Sequence, residues 1–207
     1  MPSLIDALQA QPEQTDALMR AACARLRDWQ TRQAGSAPLP ATADERLQRG
    51  LQRLAPAQAE LLLQRLQQDA ELPPQQALLD QLPEDGALPA PRRWGPATDD
   101  LARLLRPAEL AWDEAQEIDW AVRHWEASRH AGLLDEELAA DFGEFWRRLE
   151  WSALRHHLRQ LADAPADERR LLAQVVKVST RYVALAPLKR ALEASHPQFF
   201  DQAFSLR

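Results

Sequence analysis

The sequence predicts an all-α protein. Ala, Leu, Gln, Arg and Glu dominate its composition, while Ile and Val are sparse and Gly occurs only 6 times. The frequent residues favour helices, whereas the scarce β-branched residues would favour strands. The 15 prolines cut the 207-residue chain into segments of ordinary helix length. Between these breaks, apolar residues recur at three- and four-residue spacings, as they do along one face of a helix.

The first half of the chain contains predicted amphipathic helices and two proline-rich connections. Residues 61–68 predict a helix with glutamines on its polar side, and an earlier helix has an apolar stripe of Leu18, Ala22, Leu26 and Trp29. Residues 34–42 (AGSAPLPAT) and 83–96 (PEDGALPAPRRWGP) lack helical periodicity. We therefore predict an N-terminal helical segment over residues 1–82, a linker over 83–96 and a C-terminal helical subdomain over 97–207.

Three stretches of the second half also have helical patterns. Ile118, Val122 and Trp125 predict one buried stripe. Between Phe142 and Leu161 the apolar residues spread around the helix, which predicts a central helix covered on more than one face. The third pattern steps by four, three, four and three residues and consists of Leu171, Val175, Val178, Tyr182 and Leu185.

Charge and cysteine usage exclude several classes of protein. A net charge of −6 and a pI near 5.4 repel a phosphate backbone, so we expect no nucleic-acid partner. The single cysteine, Cys23, rules out an intrachain disulfide. The chain starts without a basic or apolar leader region, and no window approaches the roughly 20 apolar residues that span a bilayer. We therefore predict a cytoplasmic protein without a membrane segment.

Two segments of the chain resemble a known family. These are WGPATDDLARLLRPAELAWDEAQEIDWAVRHWE (residues 94–126) and DFGEFWRRLEWSALRHHLRQL (residues 141–161). They resemble the helical C-terminal lobe of the aminoglycoside phosphotransferase superfamily, in the branch that includes the anomeric N-acetylmuramate/N-acetylglucosamine kinases. Residues 93 to 195 carry the resemblance best, and residues 3 to 54 resemble more loosely the helices after the family's hinge. The resemblance implies an orthogonal helical bundle like the C-lobe of a protein-kinase-like phosphotransferase, and we expect the N-lobe, which would precede residue 1, to be absent.

Members of that family use ATP and magnesium, and this sequence lacks the motifs for both. The family's H-x-D-x-x-x-x-N motif occurs nowhere in the chain. In the family a metal-binding D-F-Q-D directly precedes the Gly-Pro that corresponds to Gly95 and its neighbour, whereas Leu88 and Pro91 stand at the two carboxylate positions here. Phosphoryl transfer depends on such ligands, because it consists largely of positioning and charge neutralisation. We therefore predict no catalytic residue, no metal ligand, and no ATP or magnesium cofactor.

Four residues are candidates for vestigial roles. The resemblance implies that Asp100, at the head of a predicted helix, braces the catalytic loop; the alternative is that it complements the helix dipole. Tryptophans crowd the region that lines the acceptor side in sugar kinases. Asp119, Trp120 and His124 are the candidates in this region. Trp120 is the tryptophan that we expect at a cleft, because aromatic faces bind sugars. Burial in the core is the alternative for any tryptophan.

Three other patterns look like functional motifs but have simpler explanations. Residues 141–143 spell the protein-kinase D-F-G, yet a helix is predicted to start there, so we expect Asp141 to cap that helix. His124 and His130 are six residues apart and cannot share a helix face as metal ligands do. Cys23 lies within a helical stripe, which predicts a buried, unreactive thiol.

These observations predict a truncated or degenerate member of the aminoglycoside/sugar phosphotransferase family that does not transfer phosphate by itself. Weak sugar binding is the ligand function compatible with this prediction. One alternative is a helical interaction module, in which the surface that an N-lobe would cover binds a protein partner or a second copy of the chain. A second alternative is one half of a split sugar kinase, whose other chain supplies the nucleotide-binding half.

Overall fold

A computed structural model describes residues 4–33, 44–70, 75–76, 94–95, 97–107, 112–163 and 165–201. Within these residues the backbone is almost entirely helical, which confirms the predicted all-α class. Strand structure in the described part is a single antiparallel pair of two-residue strands. No helix among these residues is both long and apolar enough to cross a bilayer. The orthogonal arrangement and the likeness to a kinase lobe stay predictions.

The regular elements follow one another in a simple order. They are α1 (Leu4–Ala10), α2 (Thr15–Gln33), α3 (Glu45–Leu54), α4 (Ala59–Ala70), β1 (Gln75–Gln76), β2 (Trp94–Gly95), α5 (Ala97–Leu105), α6 (Glu114–His130), α7 (Glu136–Ala140), α8 (Phe142–Leu161), α9 (Glu168–Arg181), α10 (Ala186–Ser195) and α11 (Gln198–Asp201). Short 3-10 turns that begin with Pro12 and Pro56 lead into α2 and α4. Proline suits these positions because the first turn of a helix needs no N–H donor there.

The chain forms two compact units, each built from two stretches of sequence. Unit 1 comprises Met1–Ala41 and Ala70–Ser152, and unit 2 comprises Thr42–Asp69 and Ala153–Arg207. In unit 1, α2 packs against α1, α5 and α6, and α5 packs against α6. In unit 2, α10 packs against α3 and α9. The predicted linker over 83–96 lies almost wholly outside the described residues, so the predicted domain boundaries stay predictions.

Close packing in unit 2 depends on one glycine. Gly50 of α3 faces the backbone of α8, and a Cβ atom at this position would clash with the carbonyl oxygen of Leu158. The start of α3 is capped by Asp44, whose carboxylate accepts a 3.0 Å hydrogen bond from the amide of Leu47 and a 2.7 Å bond from Arg159. The glycine and the cap together set the position of α3 within unit 2.

Two of the predicted apolar patterns are confirmed. On α2, Ala22, Leu26 and Trp29 are buried, and Leu18 is half-buried. On α9, Leu171, Val175 and Val178 are buried, as is Leu185 in the 3-10 turn that follows. Tyr182 lies just beyond the end of α9 and is half-buried.

The prediction that α8 is covered on more than one face is also confirmed. Every residue in the run 148–155 is buried, which is more than two consecutive helical turns. A helix with only one covered face would instead alternate between buried and exposed positions. The surroundings of α8 must therefore satisfy its polar side chains as well as its apolar ones.

The predicted stripe on α6 is wrong. Ile118 is 39% exposed, and Val122 and Trp125 are only half-buried. The buried face of α6 instead carries Glu117, Trp120, Ala121, His124 and Ser128. Apolar periodicity missed this face because three of its five residues are polar or charged, and burial of such residues depends on partners from other elements.

A buried ion cluster provides one such partner. The Arg106 guanidinium, whose side chain is 1% exposed, lies 3.1 Å from a carboxylate oxygen of Glu117 in α6 and 3.1 Å from one of Glu150 in α8. It also lies 5.2 Å from the centre of the Trp146 ring, in cation–π geometry. Arg106 directly follows α5, so within unit 1 this cluster joins α5, α6 and the first part of α8.

Candidate functional site

A pocket of about 230 Å³ lies between α2 and α6 in unit 1, and we call it the α2–α6 pocket. The α2 wall consists of Arg20, Cys23, Ala24 and Arg27. These residues are spaced three, four and seven positions from the first, which places them on one face of the helix. The two small side chains in the middle leave room for the pocket between two arginines.

The α6 wall consists of Trp120, Arg123 and His124. Trp120 is 2% exposed, and its indole Nε1 donates a 3.0 Å hydrogen bond to Asp16 of α2. Its ring meets that of Trp112 edge to face, with the ring centres 5.3 Å apart. Trp120 therefore forms part of a rigid wall, and little of its aromatic face is open to a ligand.

His124 is the buried polar group of the pocket. It is 4% exposed, and its Nδ1 has no hydrogen-bond partner among the residues that the structure describes. Its hydrogen bond to the backbone of Cys23 therefore uses Nε2. Burial, reinforced by the nearby positive charge of Arg27, lowers the pKa of His124 from 6.5 to about 4. The imidazole is consequently neutral at physiological pH, and Nδ1 carries a lone pair.

The three arginines of the pocket differ in how firmly they are held. Arg20 pairs with Asp16 at 2.9 Å, and Arg123 pairs with Asp119 at 2.7 Å. Arg27 is less exposed than either and has a looser ion pair, 3.8 Å from its sequence neighbour Asp28. None of these three aspartates lines the pocket. The described part of the pocket wall therefore carries positive charge only.

Cys23 is an inert part of the pocket wall. The residue is 7% exposed, and burial raises the pKa of its thiol to about 12. A thiol with so high a pKa is protonated at physiological pH and is a poor nucleophile. The prediction of a buried, unreactive cysteine is confirmed.

The structure brings two of the four candidate residues together. Trp120 and His124 share the α2–α6 pocket, whereas Asp119 points into solvent with 47% of its side chain exposed. Asp100 is 2% exposed in the first turn of α5. Its carboxylate suits that position because the helix dipole favours negative charge there. The loop-bracing role implied for it stays a prediction, since residues 77–93 lie outside the described part of the chain.

The D-F-G-like sequence and the two histidines of α6 have structural rather than metal-binding surroundings. Asp141 precedes α8, and its carboxylate accepts a 2.7 Å hydrogen bond from the amide of Gly143, as expected of a capping residue. His130 is exposed and its Nδ1 lies 2.6 Å from the Glu126 carbonyl oxygen, whereas His124 is buried. Within the described ranges, no group of three or more His, Cys, Asp or Glu side chains is arranged to hold a metal ion.

Sequence reasoning missed the arginines of the pocket. The sequence does contain a pattern that points to them: Arg20 and Arg27 flank two small residues at helical spacing, and Arg123 directly precedes His124. It was not decisive, because arginines on a helix usually belong to the solvated face. Only the packing of α2 against α6 turns these side chains toward one another.

Part of the chain is similar in sequence to a sugar kinase. The similarity is 36% identity over 107 residues to the N-acetylmuramate/N-acetylglucosamine kinase of Neisseria meningitidis serogroup B (strain ATCC BAA-335 / MC58). It covers 46% of this chain and 31% of that kinase. The chain is thus related to the sugar kinases. No family model and no solved structure matches the chain.

Proposed function

We propose that this chain is a non-transferring relative of the sugar kinases that binds a small sugar-type molecule in the α2–α6 pocket. The observation that carries the proposal is the pocket, whose wall contains Trp120 and His124 from the segment resembling the acceptor side of those kinases. The partial similarity to a kinase named for amino sugars supports this ligand class. The volume of about 230 Å³ lies below the roughly 300–1,000 Å³ of drug-sized sites and favours one small ring over a nucleotide.

The absence of phosphoryl transfer is part of the same proposal. The family resemblance predicts magnesium-binding carboxylates at two positions, but this chain has Leu88 and Pro91 there. Both residues lie outside the described part of the chain. Several acidic side chains of unit 1 already serve structural contacts: Glu117 and Glu150 pair with Arg106, Asp119 pairs with Arg123, and Asp135 caps α7. Magnesium needs carboxylates that converge on it with near-octahedral geometry. These contacts support a scaffold role for those acids.

Titration calorimetry with N-acetylglucosamine tests the binding part of the proposal. We expect a dissociation constant of about 1 mM, which corresponds to about 4 kcal/mol. Ala24→Leu should abolish binding, because the larger side chain fills the pocket from its α2 wall. Ala21→Leu is the matched control, since Ala21 is exposed on the same helix. Equal affinity of the two variants would contradict the proposed location of the site.

A coupled assay of ADP release tests the proposed absence of phosphoryl transfer. With Mg²⁺, ATP and N-acetylglucosamine, we expect release no faster than without the protein. Turnover that needs the metal and is unchanged by further purification would show that the chain transfers phosphate. Turnover in the absence of any binding at the pocket would refute both parts together.

A further inference from the structure

The α2–α6 pocket combines fixed positive charge with a buried hydrogen-bond acceptor. Arg20, Arg27 and Arg123 line it, and no acidic side chain among the described residues does. The acceptor is Nδ1 of His124, which has no partner within the described part of the chain. A ligand that matches both features carries an anionic group and, beside it, a hydroxyl that can donate a hydrogen bond.

Arg27 is the arginine best placed to meet an anion. Its side chain is 28% exposed, whereas those of Arg20 and Arg123 are 48% and 52% exposed. The ion pair of Arg27 is also the loosest of the three, at 3.8 Å. A guanidinium has five N–H donors, so Arg27 keeps donors that an oxyanion can use. Partial burial strengthens this attraction, because less water screens the two charges.

Arg20 and Arg123 are the two more exposed arginines of the pocket wall. Each pairs with an aspartate on its own helix, at a spacing of four residues. Such exposed pairs are weak and exchange readily with other partners. Both side chains can therefore turn one edge of the guanidinium toward an incoming anion while the helices stay in place.

His124 determines which second group a ligand of the pocket needs. Its Nε2–H donates a hydrogen bond to the backbone of Cys23, which leaves Nδ1 as a buried acceptor. A buried acceptor without a partner is costly, so a donor that reaches it gains more than it would in water. Because His124 lines the pocket, we assign its unpartnered acceptor to a hydroxyl group of the ligand.

We propose that the α2–α6 pocket binds a small phosphate monoester that carries a hydroxyl group. The phosphoryl oxygens accept hydrogen bonds from Arg20, Arg27 and Arg123, and the hydroxyl donates to Nδ1 of His124. A phosphoryl group has three terminal oxygens and up to two negative charges, which match three guanidinium groups better than a carboxylate does. This inference rests on the proposed function for the use of the pocket and adds the charge of its ligand.

Isothermal titration of the full chain with four small molecules tests the inference. sn-Glycerol 3-phosphate carries both features, methyl phosphate lacks the hydroxyl, inorganic phosphate is the free ion, and N-acetylglucosamine is uncharged. We expect glycerol 3-phosphate to bind at least about 5-fold more tightly than methyl phosphate, since one hydrogen bond to a buried acceptor is gained. Tighter binding of free phosphate than of the ester would overturn the assignment to an ester.

Three variants separate the contributions. Arg27→Gln should weaken binding of glycerol 3-phosphate at least about 10-fold, because a charged hydrogen bond is lost. Arg32→Gln is the matched control, as Arg32 is exposed on the same helix outside the pocket, and it should change the affinity by less than about 2-fold. His124→Leu should bring glycerol 3-phosphate to the affinity of methyl phosphate. The comparison of the two esters on the unmodified chain needs no variant to fold.

The outcomes distinguish this inference from the proposed function. Binding of N-acetylglucosamine without binding of either ester overturns the inference and leaves the proposed function standing. Binding of glycerol 3-phosphate without the neutral sugar supports the inference and overturns the sugar as ligand class. An equal effect of Arg27→Gln and Arg32→Gln, or equal affinity for the two esters, overturns the inference.

Discussion

The buried imidazole of His124 makes the stability of the fold depend on pH. Its pKa is about 4 in the folded chain and near 6.5 when it is exposed, so the unfolded state takes up a proton first as the pH falls. Stability is therefore highest above pH 6.5 and falls toward pH 4, by about 3 kcal/mol in total. We expect His124→Leu to flatten this dependence, measured as the free energy of urea unfolding at several pH values.

The pH window and a second histidine provide the controls. Hydrogen bonds from Arg147, joined by Arg148, lower the pKa of Glu144 from 4.5 to about 2, so the stability it contributes is lost only below pH 4.5. Loss of the stability from Glu144 therefore does not contribute to the slope between pH 6.5 and 4.5. His130→Gln, at an exposed site on the same helix, should leave the slope unchanged. A slope that survives in His124→Leu would show that another group causes it.

At the scale of elements, Arg106 holds the end of α5 to α6 and α8. Its side chain is 1% exposed, and its two carboxylate partners, Glu117 and Glu150, are 4% and 1% exposed. Removing the arginine leaves two buried carboxylates without their shared cation. We therefore expect Arg106→Met to cost about 3–5 kcal/mol of unfolding free energy in chemical denaturation.

An exposed arginine of unit 1 is the matched control for this prediction. Arg123 pairs with Asp119 on the surface of α6, with 52% and 47% of the two side chains exposed. Exposed pairs contribute about 0–1 kcal/mol, so Arg123→Met should have a small effect. If the two variants had the same unfolding free energy, apolar packing by methionine would replace the whole contribution of the buried cluster, and the prediction would be wrong.

For the whole molecule, net charge decides which large partners are excluded. The chain carries 31 acidic and 25 basic residues, and the three arginines of the pocket are a local exception to this balance. We expect no binding of duplex DNA at about 0.1 M salt, where charges act over about 10 Å. Fluorescence anisotropy of a labelled duplex should stay constant as protein is added. A rise that weakens with added salt would contradict the prediction.

The fold was more predictable than the site. The stripes on α2 and α9 were confirmed, because their buried residues are apolar and their spacing shows in the sequence. The burial of α8 on more than one face was confirmed as well. The stripe on α6 was wrong, since its buried face contains Glu117 and His124, whose burial depends on partners from other helices. Trp120 and His124 were expected near a cleft, yet their arginine neighbours were not.

The sequence by itself determined the helical class, the proline-bounded segments and the partial similarity to a sugar kinase. These properties are local, because helix propensity and apolar spacing act over a few residues, and sequence identity needs no coordinates. Only the tertiary structure decided that Arg20 and Arg27 face Arg123 and His124 across a pocket. Residues about 100 positions apart meet there because two helix faces bury more surface together than apart, and that choice depends on the whole chain.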